Sequence, residues 1–226
     1  FFFLDEIKKY HKQSKIKTVS NLKKIISNKN HEENYIYDFI EIVKKTGSSA
    51  IYDANIISSN PKEVLNIIKL LLDSNINLLG VELGGELSNR SYSHFMNIDN
   101  YISLSKLYAK SITEVYKDLP VAVVSAPNNR GEKRLTDWNN KLAKEDYYDA
   151  IIIHPYAKIV KGKDVAGRML TVVSEGADKH DTYEIYKKRA IKYIISDFKL
   201  EIDKYNKTYN NKNIWLYFEN KPGTKK

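Results

Sequence analysis

Residues 78–86 read Leu78-Leu79-Gly80-Val81-Glu82-Leu83-Gly84-Gly85-Glu86. A short apolar run stops in small residues and a carboxylate, as a buried strand does when it emerges at the mouth of a site. Strand geometry places residues i, i+2 and i+4 on one face. Glu82, Gly84 and Glu86 are therefore expected to share a face, and Val81, Leu83 and Gly85 the other. A buried carboxylate without a partner is costly, so two on one side imply a polar cavity. The competing reading is an edge strand with one solvated face.

On either side of this stretch, apolar segments of two kinds alternate. Residues 31–45 have helical periodicity and end near Gly47, a C-cap residue type. Residues 49–56 read as a strand, followed by a polar turn and a helix opening at Pro61 and stopping near Asn75. After 78–86 come a polar, aromatic loop (89–97), a helix from about 98 to 117, and a β-branched strand at 119–126. A helix is expected at 137–144, and a strand at 149–156 finishing in His154-Pro155-Tyr156. Residues 157–181 form a long segment with little pattern. A helix over 182–205 and a last strand at 213–219 close the series.

Strands and helices in strict alternation mean parallel βαβ units. Two architectures satisfy this, an eight-stranded barrel and a doubly wound open sheet. No G-x-G-x-x-G or P-loop is present to favour the open sheet. Polar residues instead gather at strand C-termini: Asp53 and Asn55, Glu86, Ser125 and Asn128, His154 and Tyr156, Glu219. That distribution is the habit of a TIM-type (β/α)8 barrel. Five strands are evident and a sixth is suggested near residues 1–4, so the barrel is expected to be incomplete at its ends. Residues 1–226 are read as one such domain, which further chains or segments would complete.

Composition narrows the chemistry. The chain has no cysteine, which excludes disulfides and thiolate metal sites. No apolar stretch approaches the ~18 residues of a membrane span. Phe1-Phe2-Phe3-Leu4 is too short for a signal-peptide core. The formal charge of +9 would attract anions, but it comes mostly from scattered lysines. The four arginines, Arg90, Arg130, Arg134 and Arg168, are not gathered on one element. Nucleic acid is therefore not an expected partner. No histidine pair has metal-ligand spacing, and neither a metal nor a cofactor is expected.

Taken together, these segments resemble the clan A glycoside hydrolases. Residues 80–86 are similar to the fourth-strand motif of that clan, usually E-L-G-N-E, most closely in the glucuronidase and heparanase-like branch and its arabinofuranosidase relatives. Residues 50–56, 118–127, 136–156 and 211–220 resemble the third, fifth, sixth and seventh strand regions, in order. The resemblance implies a retaining glycosidase of polysaccharides or glycosides, secreted or otherwise extracytoplasmic, whose partner is carbohydrate, anionic polysaccharide included. It implies Glu86 as general acid/base and Glu219 as nucleophile. His154, Tyr156 and Trp215 would border or support the sugar site. Asn55, Glu82, Tyr92 and Asn128 are further substrate-site candidates by position.

Two departures from the pattern open a second reading. Gly85 stands where the clan has an asparagine that hydrogen-bonds the sugar 2-hydroxyl. Aligning Ile214-Trp215-Leu216 puts Phe218 at the nucleophile position and Glu219 one residue late, which turns a strand side chain to the opposite face. A β-bulge would restore it. The alternative is thus a catalytically inactive barrel that binds glycan or serves as a structural module of a larger assembly.

Overall fold

The computed structural model describes residues 36–128, 131–155, 160–163, 169–171, 187–188 and 191–216. Helix α1 (Ile36–Thr46) ends at Gly47, whose φ of 63° is the left-handed conformation a C-cap requires. Its buried Ile40 and Val43 pack on Ala50, Leu71 and Ile76. Strand β1 (Ala50–Ala54) leads to α2 (Pro61–Asp73), where Asn60 Oδ1 accepts the Glu63 backbone N–H and Pro61 fills the first turn. Asn75, at φ 57°, ends that helix and starts the approach to β2 (Leu78–Leu83).

A 3₁₀ turn (Arg90–Tyr92) precedes α3 (Ile98–Val115), which Asn97 caps through the Asn100 N–H. Strand β3 (Val121–Val124), helix α4 (Lys133–Leu142) and strand β4 (Ala150–Ile153) follow. Residues 157–181, expected to lack pattern, contain an antiparallel pair, β5 (Val160–Lys163) with β6 (Met169–Thr171). A π-helical stretch (Tyr193–Asp197) runs into α5 (Phe198–Thr208), and β7 (Asn213–Leu216) completes the described chain.

The main sheet is parallel throughout, in the order β1-β2-β3-β4-β7. Strands are added in one direction with no reversal. A doubly wound sheet needs a reversal to put helices on both faces. Here Val64, Ile68, Tyr101, Tyr108, Ile112, Trp138, Leu142 and Tyr205 from α2–α5 share one core with Val81, Leu83, Val121, Val123, Ile151 and Ile153 of the sheet. The helices therefore lie on a single face, which is the singly wound arrangement of barrel folds. Among the described residues the sheet has five strands and is not closed, so they do not by themselves make a complete (β/α)8 barrel. The edges of β1 and β7 find no further strand partner there.

The opposite face of the sheet follows from the register. Glu82 aligns with Asp53 and Ala122, Ala122 with Ala150, and Ile152 with Trp215. Ala122, Ala150, Ile152 and Trp215 form a separate small cluster there. Gly80 belongs to it, because an added Cβ would run into the Trp215 ring and lie 2.6 Å from the Pro120 carbonyl oxygen. Small residues on three strands admit one large indole, which is close packing by complementary size.

The helices also finish the strand C-termini, where backbone groups would otherwise be orphaned. Tyr101 Oη donates to the Leu83 carbonyl (2.9 Å) and accepts from the Val124 N–H (2.7 Å). Trp138 Nε1 donates to Val124 O, and the Asn139 amide bonds both backbone groups of Ala126. Tyr209 Oη in turn donates to Asn139 Oδ1 at 2.7 Å. Polar side chains of three helices thus hold apart the rim on which the candidate site is built.

Candidate active site

The strand carrying Glu82 stops at Leu83, three residues earlier than the sequence alternation implies. Gly84 takes φ 81°, and a Cβ there would lie 2.6 Å from Leu87 Cδ1. Glycine is required on both counts. The period-2 rule ends at that turn, so Glu82, Gly84 and Glu86 do not form the expected strand face. Glu86 is instead carried out of the sheet with φ 48°. A non-glycine residue in this region costs ~1–2 kcal/mol, and such strain concentrates where a side chain must be aimed.

Glu86 is aimed into a cleft at the C-terminal ends of β2, β3 and β4. Ser88, Asn89, Ser125, Pro127, Arg134, Leu135, His154 and Tyr205 complete its lining, and it encloses about 470 Å³ of space open to solvent. His154, following β4, brings Nδ1 to 3.7 Å from Glu86 Oε1, an ion pair whenever the imidazole is protonated. The walls are tied together by local hydrogen bonds. Ser88 Oγ donates to Ser125 O, Ser125 Oγ to Ile152 O, and Arg134 Nη1 to Ser88 O at 2.7 Å. Tyr205 Oη donates to Ala126 O, holding α5 against the cleft.

Beneath this cleft lies a second carboxyl. Glu82 is 1% exposed, and its Oε1 has no hydrogen-bond partner among the described residues. Burial, then the charges of Asp53 and Glu86, push its carboxyl up to about 8. Glu82 is thus a neutral acid near pH 7. Burial also raises the carboxyl of Asp53, its registered neighbour on β1. Among the described residues no group of three or more His, Asp or Glu side chains is placed to hold a metal ion.

The other candidates fall in different places. Tyr92 lines a second cleft with Asp53, Asn55, Gly84 and Gly85, its ring edge-on to Phe95. Asn55 is committed to its own turn: Oδ1 accepts from the Ile57 and Ser58 N–H groups and Nδ2 donates to Ser58 Oγ. Asn128 Nδ2 donates to the Glu201 carbonyl, tying the β3 loop to α5. Trp215 packs on Gly80 and supports the sheet rather than lining the cleft. Tyr156, Phe218 and Glu219 lie outside the described residues. The cleft also recruits Arg134, Asn89, Leu135 and Tyr205, which sequence reasoning did not single out. They come from a helix start, a loop and a distant helix, and only the scarcity of arginine in this lysine-rich chain hinted at Arg134.

No protein-family profile matches the sequence, and no curated protein matches it either. In three dimensions the chain is similar to a family 51 α-L-arabinofuranosidase from Bifidobacterium longum, with a TM-score of 0.53 at 16% identity. The likeness is one of fold. The match covers 83% of this chain and 38% of the arabinofuranosidase, so this chain spans well under half of that enzyme's length. The chain carries a fold distantly similar to that of this glycosidase. No helix among the described residues is long and apolar enough to cross a membrane.

Proposed function

We propose that residues 1–226 form one glycosidase-like (β/α) domain that hydrolyses a glycoside or polysaccharide with retention of configuration. The observation that carries this reading is the Glu86–His154 pair, set by a strained backbone into an open cleft at the strand C-termini of a glycosidase-like fold. In the reaction Glu86 protonates the leaving oxygen while Glu219 attacks the anomeric carbon. Glu86 then takes a proton from the water that releases the sugar. His154 stands 3.7 Å from Glu86, an ion-pair partner for it when the imidazole carries a proton. Asn89, Ser125 and Arg134 supply the polar wall against which sugar hydroxyls would rest. Carbohydrate is the partner and an extracytoplasmic location belongs to the same proposal, as does kinship with the glucuronidase and heparanase-like branch.

The inactive, glycan-binding reading is favoured by one specific observation, the glycine at position 85 that leaves Glu86 without an adjacent amide. Turnover separates the two. Wild type should release nitrophenol from an aryl α-L-arabinofuranoside or an aryl β-glucuronide, and Glu86→Gln should abolish release while melting like wild type. Binding of these glycosides without any release would establish the inactive reading instead.

A further inference from the structure

Among the described residues, Arg134 alone lines both the Glu86 cleft and the neighbouring groove between residues 93–98 and α4. Its hydrogen bonding is unfinished. A guanidinium has five N–H donors, and the partner found for Arg134 among the described residues is the Ser88 carbonyl, a neutral acceptor 2.7 Å from Nη1. The two lysines of α4 that share the groove are neutralised, Lys133 by Asp137 and Lys141 by Asp99, each at 2.7 Å. No described carboxylate is in ion-pair contact with Arg134. Arg134 is half-buried, and a charge withdrawn from water without a counter-ion is costly.

We infer that Arg134 is a specificity-determining residue that pairs with a carboxylate carried by the glycan, where the Glu86 cleft meets the groove along α4. The inference rests on the glycosidase reading and adds to it the substrate class, an acidic rather than a neutral sugar chain. Charge balance in the cleft supports the assignment. Of the described residues that line it, Glu86, His154 and Arg134 are those that can carry charge near neutral pH. Once Glu86 holds the proton it must donate, the lining is left with the positive charge of Arg134, and a neutral sugar would leave that charge uncompensated. The geometry of the group supports it too. With Nη1 held by Ser88 O, Nε and Nη2 remain as a parallel pair of donors. Such a pair matches the two oxygens of a carboxylate, in short charge-assisted bonds. The formal charge of +9 works in the same direction, drawing anionic chains toward the protein.

The test uses two glycosides that differ only at C6, 4-nitrophenyl β-D-glucuronide and 4-nitrophenyl β-D-glucoside, titrated by calorimetry into the Glu86→Gln protein. That background prevents turnover and leaves position 86 uncharged, as it is when Glu86 carries its proton. The glucuronide should bind ~10-fold or more tightly than the glucoside, the difference expected for hydrogen bonding between charged groups. The preference should shrink in high salt. Adding Arg134→Gln should make the two glycosides bind alike, while Arg134→Lys, which keeps the charge and a donor for Ser88 O, should retain part of the preference. Equal binding of the two glycosides before Arg134 is changed, binding of neither, or a preference that survives Arg134→Gln would overturn the assignment. So would an Arg134→Gln protein that weakens on both glycosides equally, the mark of a residue that only shapes the wall. Nitrophenol release by wild type is read separately. Release without a carboxylate preference would overturn the assignment and keep the glycosidase reading, and an Arg134-dependent preference without any release would do the reverse.

Discussion

Replacing Glu82 by glutamine should uncouple stability from pH across the neutral range. Glu82 lies on β2, an interior strand of the sheet, with 1% of its surface exposed, beside Ala122 of the Trp215 cluster. Its carboxyl is raised from 4.5 to about 8, first by burial and then by Asp53 and Glu86. Between these two values the folded protein keeps the Glu82 proton while the unfolded chain gives it up. Stability from this group is therefore full below pH 4.5, declines as pH rises, and is lost above about 8. At about 1.36 kcal/mol per pH unit, the decline approaches ~5 kcal/mol at its upper limit. For a chain of this size ~1 kcal/mol shifts Tm by ~2–4 °C. Glutamine keeps the shape and cannot ionise. Wild type minus Glu82→Gln, measured as Tm from pH 5 to pH 9, should therefore fall by ~10 °C or more. Parallel curves over that range would refute the claim that a neutral acid is buried in the sheet.

Other consequences are simpler to state. Glu86→Gln should cost ~100-fold or more in turnover of an aryl glycoside, the usual worth of a general acid/base, with Tm unchanged; a loss below tenfold would remove Glu86 from the chemistry. Tyr101→Phe leaves Leu83 O and Val124 N without their shared hydroxyl, and denaturant titration should show ~1–3 kcal/mol of lost stability. Gly80→Ala forces a methyl against the Trp215 ring and Pro120 O and should cost a comparable amount, relieved only in part when Trp215 is shortened to leucine in the same chain, because the backbone contact with Pro120 O remains.

Much of this arrangement was legible in the residues. Alternating periodicities gave the parallel βαβ series, and Gly47, Pro61 and Asn75 marked helix ends for local reasons that tertiary contacts did not override. The clustering of polar residues at strand C-termini pointed to the rim that bears Glu86 and His154. The failures have a common physical origin. Alternation along 78–86 predicts side-chain facing only while the chain stays extended, and Gly84 ends that with a positive φ, its Cβ space filled by Leu87 and Ile56, residues no local pattern identifies. Helix α4 begins at Lys133 rather than 137, because Glu132 and Lys133 carry no strong capping signal. Arg134 and Tyr205 reach the cleft through packing between elements far apart in sequence. Closure of the sheet could not be read from the five strands alone, since a single-direction strand order is common to partial and complete barrels.

The account's central claim is that Glu86 and Glu219 act from opposite sides of one glycosidic bond, at the ~5–5.5 Å separation of a retaining enzyme. The most direct measurement follows hydrolysis of an aryl glycoside by proton NMR and reads the anomeric configuration of the first-formed sugar. Retained configuration, abolished in both Glu86→Gln and Glu219→Gln, is the predicted result. An inverted product, or full turnover with Glu219 replaced, would contradict it.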